Sequence, residues 1–316
     1  MSRVAAIDCG TNSIRLLVSD VPDAGPAVDV LRRMEVVRLG EGVDATGRLA
    51  PQAIERTRRV LAEYADQARE LGAEAVRMVA TSATRDAANR ADFETMVVDT
   101  LGLPPDVVSG REEAELSFRG ATASLDAAAA AHGAPPPRPP FLVVDIGGGS
   151  TELVLGDADG VRAARSVDIG CVRLTERQLH GDPPTPEEVE RAEADIRKGL
   201  AEVTAEVPVG EAATLVGLAG SVTTVAALAL ELPAYDPVAI HGSRIPAAAV
   251  AAVTADLLRA RRSRRAAMAV MHPGRVDVIG AGALVLHVIV QDLGFADVVV
   301  SEHDILDGIA LGLAGR

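Results

Sequence analysis

The chain reads as an α/β protein built from two related halves. Three observations predict this. The stretch Phe141 to Asp157, FLVVDIGGGSTELVLGD, runs from an apolar segment through Asp145 and three glycines to a second apolar segment. That is the pattern of strand, tight glycine turn and strand. The N-terminus repeats it as VAAIDCGTNSIRLLVSD, Val4 to Asp20. Asp8, Gly10, Ser13, Leu16 and Asp20 stand at the same offsets as Asp145, Gly147, Ser150, Leu153 and Asp157. The two copies lie the length of a small domain apart. That spacing predicts a duplicated fold, each half bringing one phosphate-binding hairpin to a shared cleft. The competing reading is two ordinary hairpins with turn glycines.

In order, Val4 to Ile7 and Ile14 to Val18 give the first hairpin, and Leu31 to Leu39 a third strand. Gly40 to Leu49 reads as a loop. Pro51 to Leu71 reads as a helix, with proline in its first turn and Ile54, Val60, Leu61, Tyr64 and Leu71 near helical spacing. Ala75 to Ala80 is a strand, and Thr81 to Arg85 opens the next helix. Val107 to Ser109 is a strand, and Arg111 to Asp126 a helix. Ala127 to Pro140, AAAAAHGAPPPRPP, has no hydrophobic periodicity and reads as a surface linker. Beyond it come the hairpin Phe141 to Leu155, a strand Ala163 to Ile169, a helix after Gly170 and a long helix Glu187 to Ala205. Thr214 to Leu218 is a strand leading to Gly220-Ser221. Helices follow over Ala247 to Leu258, Arg259 to Met268 and Val276 to Val290. Ala296 to Val300 is a strand, and Asp304 to Leu313 a last helix.

The turns carry the chemistry. Successive N–H groups in a glycine turn form an anion-binding nest, and Ser150 and Thr151 add hydroxyls. Asp145 and Glu152 flank that nest. Two carboxylates beside a phosphate make sense if a divalent cation sits between them, because bare they repel it.

Length and charge bound the rest. A chain of 316 residues is long enough for two cores. With aromatics at 2% and no Trp, those cores must be aliphatic. The net charge of -14 argues against non-specific nucleic-acid binding, so a polyanion must be met by local positive features. Lys198 is the only lysine. Cys9 and Cys171 are too few for a disulfide framework and read as small buried residues in a reducing compartment. Arg3 is followed at once by a strand, which is no secretory leader. Ala212 to Leu230 is uncharged, but Gly217, Gly220, Ser221, Thr223 and Thr224 interrupt it. A cytoplasmic protein without membrane attachment is expected.

Four segments in fixed order now carry a resemblance. They are Asp8-Cys-Gly10-Thr11-Asn12-Ser13-Ile-Arg15, Ser109-Gly110-Arg111-Glu112-Glu113-Ala114, Asp145-Ile-Gly147-Gly148-Gly149-Ser150-Thr151-Glu152 and Gly217-Leu-Ala-Gly220-Ser221. Together they resemble the exopolyphosphatase/guanosine pentaphosphate phosphatase (Ppx/GppA) family of the actin-like superfamily. The resemblance spans almost the whole chain, to Val300-Ser301 and Asp307-Gly308. It implies two ribonuclease-H-like domains of the actin/Hsp70/sugar kinase kind facing a cleft: residues 1–126, a linker 127–140 and residues 141–303. The helix from 304 to 316 is expected to return to the first domain. Long members of the family carry further helical domains after this point, and Arg316 falls short of them, which puts processive handling of long chains in doubt. Ser301-Glu302-His303-Asp304 is more acidic than the family pattern.

The resemblance also assigns roles. Glu113 stands where the family's water-activating glutamate stands; without it, Glu112 and Glu113 are simply first-turn acids favoured by the helix dipole. Asp145 and Glu152 become the metal-side carboxylates, with Asp8 as the symmetry-related candidate and Mg²⁺, or Mn²⁺, as the ion. Gly147, Gly148, Gly149, Ser150 and Thr151 cradle one phosphate, faced by Thr11, Asn12, Ser13 and Arg15. Arg85, Arg275, Gly220 and Ser221 are further phosphate candidates. The expected reaction is release of orthophosphate from the end of inorganic polyphosphate. Alternatives are removal of the terminal phosphate of guanosine pentaphosphate, an ATP-dependent kinase, and a sensor that binds without turnover. A homodimer is expected by analogy. The basic run Arg259, Arg261, Arg262, Arg264 and Arg265 either steers the polyanion or is a solvated helix face. The six histidines show no metal-ligand spacing.

Overall fold

Strand alternation decides the first sheet. Strand β1 (Ser2–Cys9) pairs antiparallel with β2 (Ser13–Val21) and parallel with β4 (Ala75–Ala80). With β3 (Val28–Val36) and β5 (Asp106–Val107) the order is β3-β2-β1-β4-β5. Successive side chains on a strand point to opposite faces. Ala5, Ile7 and Cys9 of β1 accordingly enter one core, and Val4 and Ala6 another. Helices Pro51–Glu70 and Arg90–Leu101 cover the first face with Leu61, Tyr64, Phe93 and Val97. Helices Gly110–Thr122 and Ile305–Leu313 cover the second with Leu116, Ile305, Leu306 and Ile309.

The second sheet comprises β6 (Phe141–Ile146), β7 (Thr151–Asp157), β8 (Gly160–Val167), β9 (Thr214–Leu218), β10 (Arg244–Pro246) and β11 (Asp297–Val300). Its order is β10-β11-β9-β6-β7-β8. Read from β8, this repeats the first sheet: a three-stranded meander, a parallel strand beside the first, then another. The registers repeat as well. Asp8 opposes Arg15 and Val79; Asp145 opposes Glu152 and Leu218. This is the ribonuclease-H-like arrangement in two copies. Leu142, Val144, Leu153 and Leu155 pack against Ile196 and Leu200 of helix Pro186–Glu206 and Leu284 and Val288 of helix Ile279–Asp292.

This computed structural model describes every residue except Ala24, Pro26 and Arg316. The chain divides into two units, Met1–Gly120 with Ile305–Arg316, and Ala121–Asp304. The boundary thus falls before the proline-rich segment. Residues expected in the linker instead form helix Leu125–Ala131, with Ala128 and Ala129 buried in the second unit. Alanine is the strongest helix former, and the prolines that follow stop the helix rather than extend a linker. The helix expected over Arg111 to Asp126 breaks after Thr122. Strand β10 has no counterpart in the sequence reading, because three residues are too short for a periodic signal. Ala212 to Leu230 resolves into β9 and the helix Ala219–Ala229. Among the described residues no helix is long and apolar enough to cross a membrane.

Helix Ile305–Leu313 docks through Gly308, where an added Cβ would meet the backbone of Leu116, with its carbonyl carbon at 2.8 Å. Gly308→Ala is expected to destabilise the protein by about 1–3 kcal/mol, the usual cost of overpacking. Gly210→Ala, with nothing within 4 Å of its added methyl, is expected to change stability by less than about 1 kcal/mol. Urea-unfolding midpoints of the two variants check this.

Candidate active site

The two glycine turns close with the same bond. Gly10 N–H donates to Ser13 O and Gly147 N–H to Ser150 O, each at 3.0 Å. In the second turn Asp145 and Glu152 face each other across β6 and β7, and opposed residues of an antiparallel pair share a face. They are 8% and 1% exposed. Ser166 on β8 opposes Glu152 and donates its hydroxyl to Oε1 at 2.6 Å. Ser150 is buried. Thr151 departs from expectation: it is fully buried, and its hydroxyl donates to Ile169 O at 3.2 Å. It ties the turn to the neighbouring segment instead of offering a hydroxyl to phosphate.

The first turn carries a different pair at the same register. Arg15 holds Asp8 Oδ2 with Nη2 at 2.6 Å and Nε at 3.0 Å. Asp8 is buried, and a buried charge needs its counter-charge close by. The guanidinium of Arg15, read from the sequence as a phosphate contact, is turned onto Asp8, read as a metal-side carboxylate, and supplies its counter-charge. Thr11 Oγ1 lies 3.0 Å from Ser82 Oγ. Asn12 and Ser13 are half-buried at the turn.

Adjacent acids separate on helix Gly110–Thr122. Glu112 turns back to Ser109, whose N–H and hydroxyl donate to its Oε2 at 2.9 and 3.0 Å. Those bonds hold the Glu112 carboxyl below its ordinary range. Glu113 is 8% exposed, and its Oε2 accepts from Arg85 Nη1 at 3.1 Å. Arg85 also donates to Val108 O at 3.0 Å. Its guanidinium, a phosphate candidate in the sequence, is therefore engaged in fixing a carboxylate. The pairing spans 28 residues, and no local pattern signals it.

In the second unit Ala219 opens the helix after β9 with φ 68°, a left-handed value that is strained for a residue other than glycine. Gly220 follows against the guanidinium of Arg275, which donates from Nη1 to Thr224 Oγ1 at 3.1 Å. Ser221 is buried against Gly282. Within the basic run Arg259 pairs with Asp256, Arg262 with Asp277, and buried Arg265 with Asp182, while Arg261 and Arg264 are exposed.

The acidic stretch at 301–304 belongs to a hydrogen-bond chain. Glu302 N–H donates to His241 Nδ1 at 3.2 Å, so His241 carries its proton on Nε2. Nε2 then donates to Ser124 Oγ at 3.1 Å, and Ser124 Oγ lies within hydrogen-bond distance of His303 Nδ1 at 2.8 Å. The two rings stack at 4.4 Å. The Glu302 carboxylate lies 2.6 Å from the hydroxyl of Tyr235. Burial and that carboxylate push the phenol up. Among the described residues, no three or more His, Cys, Asp and Glu side chains are grouped to hold a metal ion.

Comparison with known proteins places this geometry. The family model of the Ppx/GppA phosphatase family matches residues 17–316. Exopolyphosphatase 2 of Mycobacterium tuberculosis is 54% identical, with 100% of this chain aligned to 99% of that protein. A bifunctional 3-dehydroquinate synthase/phosphatase of Fusobacterium nucleatum is 31% identical over 97% of this chain and 46% of its own length. Among solved structures, an exopolyphosphatase-like protein superposes with a TM-score of 0.92 at 40% identity, covering 99% of both chains. The Aquifex aeolicus member of the Ppx/GppA family gives 0.78 at 31% identity, covering 99% of this chain and 97% of that one. With duplicated turns, a helix acid held by arginine and a full-length match, this chain belongs to the Ppx/GppA phosphatase family.

Proposed function

We propose that this chain is an enzyme that hydrolyses the terminal phosphoanhydride bond of inorganic polyphosphate and releases orthophosphate. The observation that carries the reading is the 54% identity, over essentially the full length of both chains, to a protein named an exopolyphosphatase. The geometry supports the chemistry the reaction needs: a positioned base, a phosphate cradle and neutralisation of transferred charge.

Glu113 is the general base, taking a proton from the attacking water. Its low exposure and its bond to Arg85 support this, since a base must be held in one orientation to work at hydrogen-bond range. Arg85 is then a positioning residue. Gly147, Gly148, Gly149 and Ser150 cradle phosphate through the backbone.

Asp145 and Glu152 would hold Mg²⁺, or Mn²⁺ in its place. Their donor set fits a hard cation: two oxygen ligands opposed across β6 and β7, with Ser166 steadying one of them. Mg²⁺ commonly takes one or two carboxylates and completes its shell with phosphate oxygens and water. When bound, the ion offsets charge on the phosphate oxygens. Asp8 is left out of this set because Arg15 already neutralises it.

Orthophosphate release with Mg²⁺ from short polyphosphate, long polyphosphate, guanosine pentaphosphate and ATP tests the reading. Release from polyphosphate is expected. Glu113→Gln should lower kcat by about 10²–10⁴-fold, the worth of a general base, with little change in KM. Release from guanosine pentaphosphate alone would overturn the substrate, and full activity in the variant would overturn the base. Asp145→Asn is expected to raise the Mg²⁺ concentration for half-maximal rate by roughly tenfold or more. An unchanged metal requirement would remove Asp145 from the metal side.

A further inference from the structure

The second glycine turn is held from behind. Gly147 O accepts from Cys171 N–H at 2.9 Å, and Gly148 O from Val172 and Arg173 N–H at 2.9 and 3.1 Å. Gly149 O accepts from Gly170 N–H at 3.2 Å. These donors are the first amides of helix Cys171–Gln178 and the residue that precedes it. Thr151 extends the seam through its hydroxyl on Ile169 O. The helix N-terminus, which elsewhere meets anions directly, is here occupied by the carbonyls of a loop.

In a trans peptide the carbonyl of one residue and the N–H of the next point in opposite directions. The peptides from Gly147 to Ser150 are trans. With three consecutive carbonyls turned to the helix, the N–H groups of Gly148, Gly149 and Ser150 turn away from it together. None of the three donates to an acceptor among the described residues. Gly148 is half-buried and Gly149 and Ser150 are buried, and amides so placed seldom lack an acceptor. The loop peptides also align with the helix dipole and carry its positive end forward to their N–H groups.

The first half repeats the device with different residues. Thr11 O accepts from Gly40 N–H at 2.9 Å, and Asn12 O from Val37 and Arg38 N–H at 3.1 and 2.8 Å. In both halves the holding segment follows the third strand of the meander. In both it contains a glycine that has no room for a side chain: a Cβ on Gly40 would strike Thr11, and one on Gly170 would strike the backbone of Gly148 and Gly149.

We infer that residues Gly170 to Arg173 are positioning residues whose amides aim the N–H groups of Gly148, Gly149 and Ser150 at a phosphate group of the substrate. The inference rests on the proposed reading of this turn as the phosphate cradle.

Cys171→Pro tests it. Cys171 is the first helical residue and Gly170 before it is extended, φ -72° and ψ 159°, so proline fits the backbone there while removing the one N–H that holds Gly147. Cys171→Ala removes the thiol and keeps the N–H. The expected result is a kcat/KM for polyphosphate at least tenfold lower in C171P than in C171A. Binding of inorganic phosphate, followed by ³¹P NMR titration, should weaken by a similar factor, with thermal midpoints within a few degrees. Equal kinetics and equal phosphate binding in the two variants would overturn the inference. If C171P fails to fold, Gly170→Ala carries the test, since it keeps every N–H and crowds the loop backbone at Gly148 and Gly149. Weaker phosphate binding at a near-native midpoint supports the inference, and unchanged binding overturns it. If the wild type binds phosphate but releases none from any substrate, the proposed reaction fails while the phosphate comparison still decides the positioning role.

Discussion

A tight turn presents carbonyls as well as amides, and both cannot face the same anion. A glycine loop can offer its N–H groups to phosphate only if its oxygens are taken up elsewhere. Here they are taken up by the chain that returns after the third strand, at residues 37–40 in one unit and 170–173 in the other. Much of the local structure follows from that constraint. The meander has to be three strands long to bring the chain back to its own first turn. The returning segment has to carry glycine where it crosses. Thr151, read from sequence as a ligand for phosphate, is drawn into the same seam.

The two halves share a backbone and differ in charge. At matching register one half places Asp8 against Arg15 and the other Asp145 against Glu152. The first pair is self-neutralising. The second brings two acids together under low exposure, an arrangement that favours a cation. One duplicated hairpin thus yields an ion pair in one half and a pair of acids in the other through a single change of residue type, arginine in place of glutamate.

What the sequence made legible was local. Both hairpins, the parallel strands after them and most helices follow from apolar periodicity and glycine placement within short windows. The family resemblance added Glu113, which helix chemistry alone would have left as one of two equivalent first-turn acids. What stayed illegible depended on partners far along the chain. Arg85 meets Glu113, Ser166 meets Glu152 and Arg15 meets Asp8 through register or packing, and no short window holds both members of the more distant pairs. The alanine run at 127–131 misled for the opposite reason. Its lack of hydrophobic contrast resembles a linker, yet alanine helices need only a small buried stripe to persist. Glu302 and His303, out of keeping with the family pattern, make sense only once Ser124 and His241 lie beside them.

The terminal helix has a consequence for how the molecule comes into being. The second face of the first sheet is closed by Ile305, Leu306 and Ile309, while the strands it covers are laid down within the first 107 residues. On the ribosome those strands must wait for residues 305–313 before that apolar face is fully covered. The second unit, continuous from Ala121 to Asp304, has no such dependence and can mature while the first is still incomplete. The first sheet therefore keeps one face half-covered until the helix Ile305–Leu313 has been made.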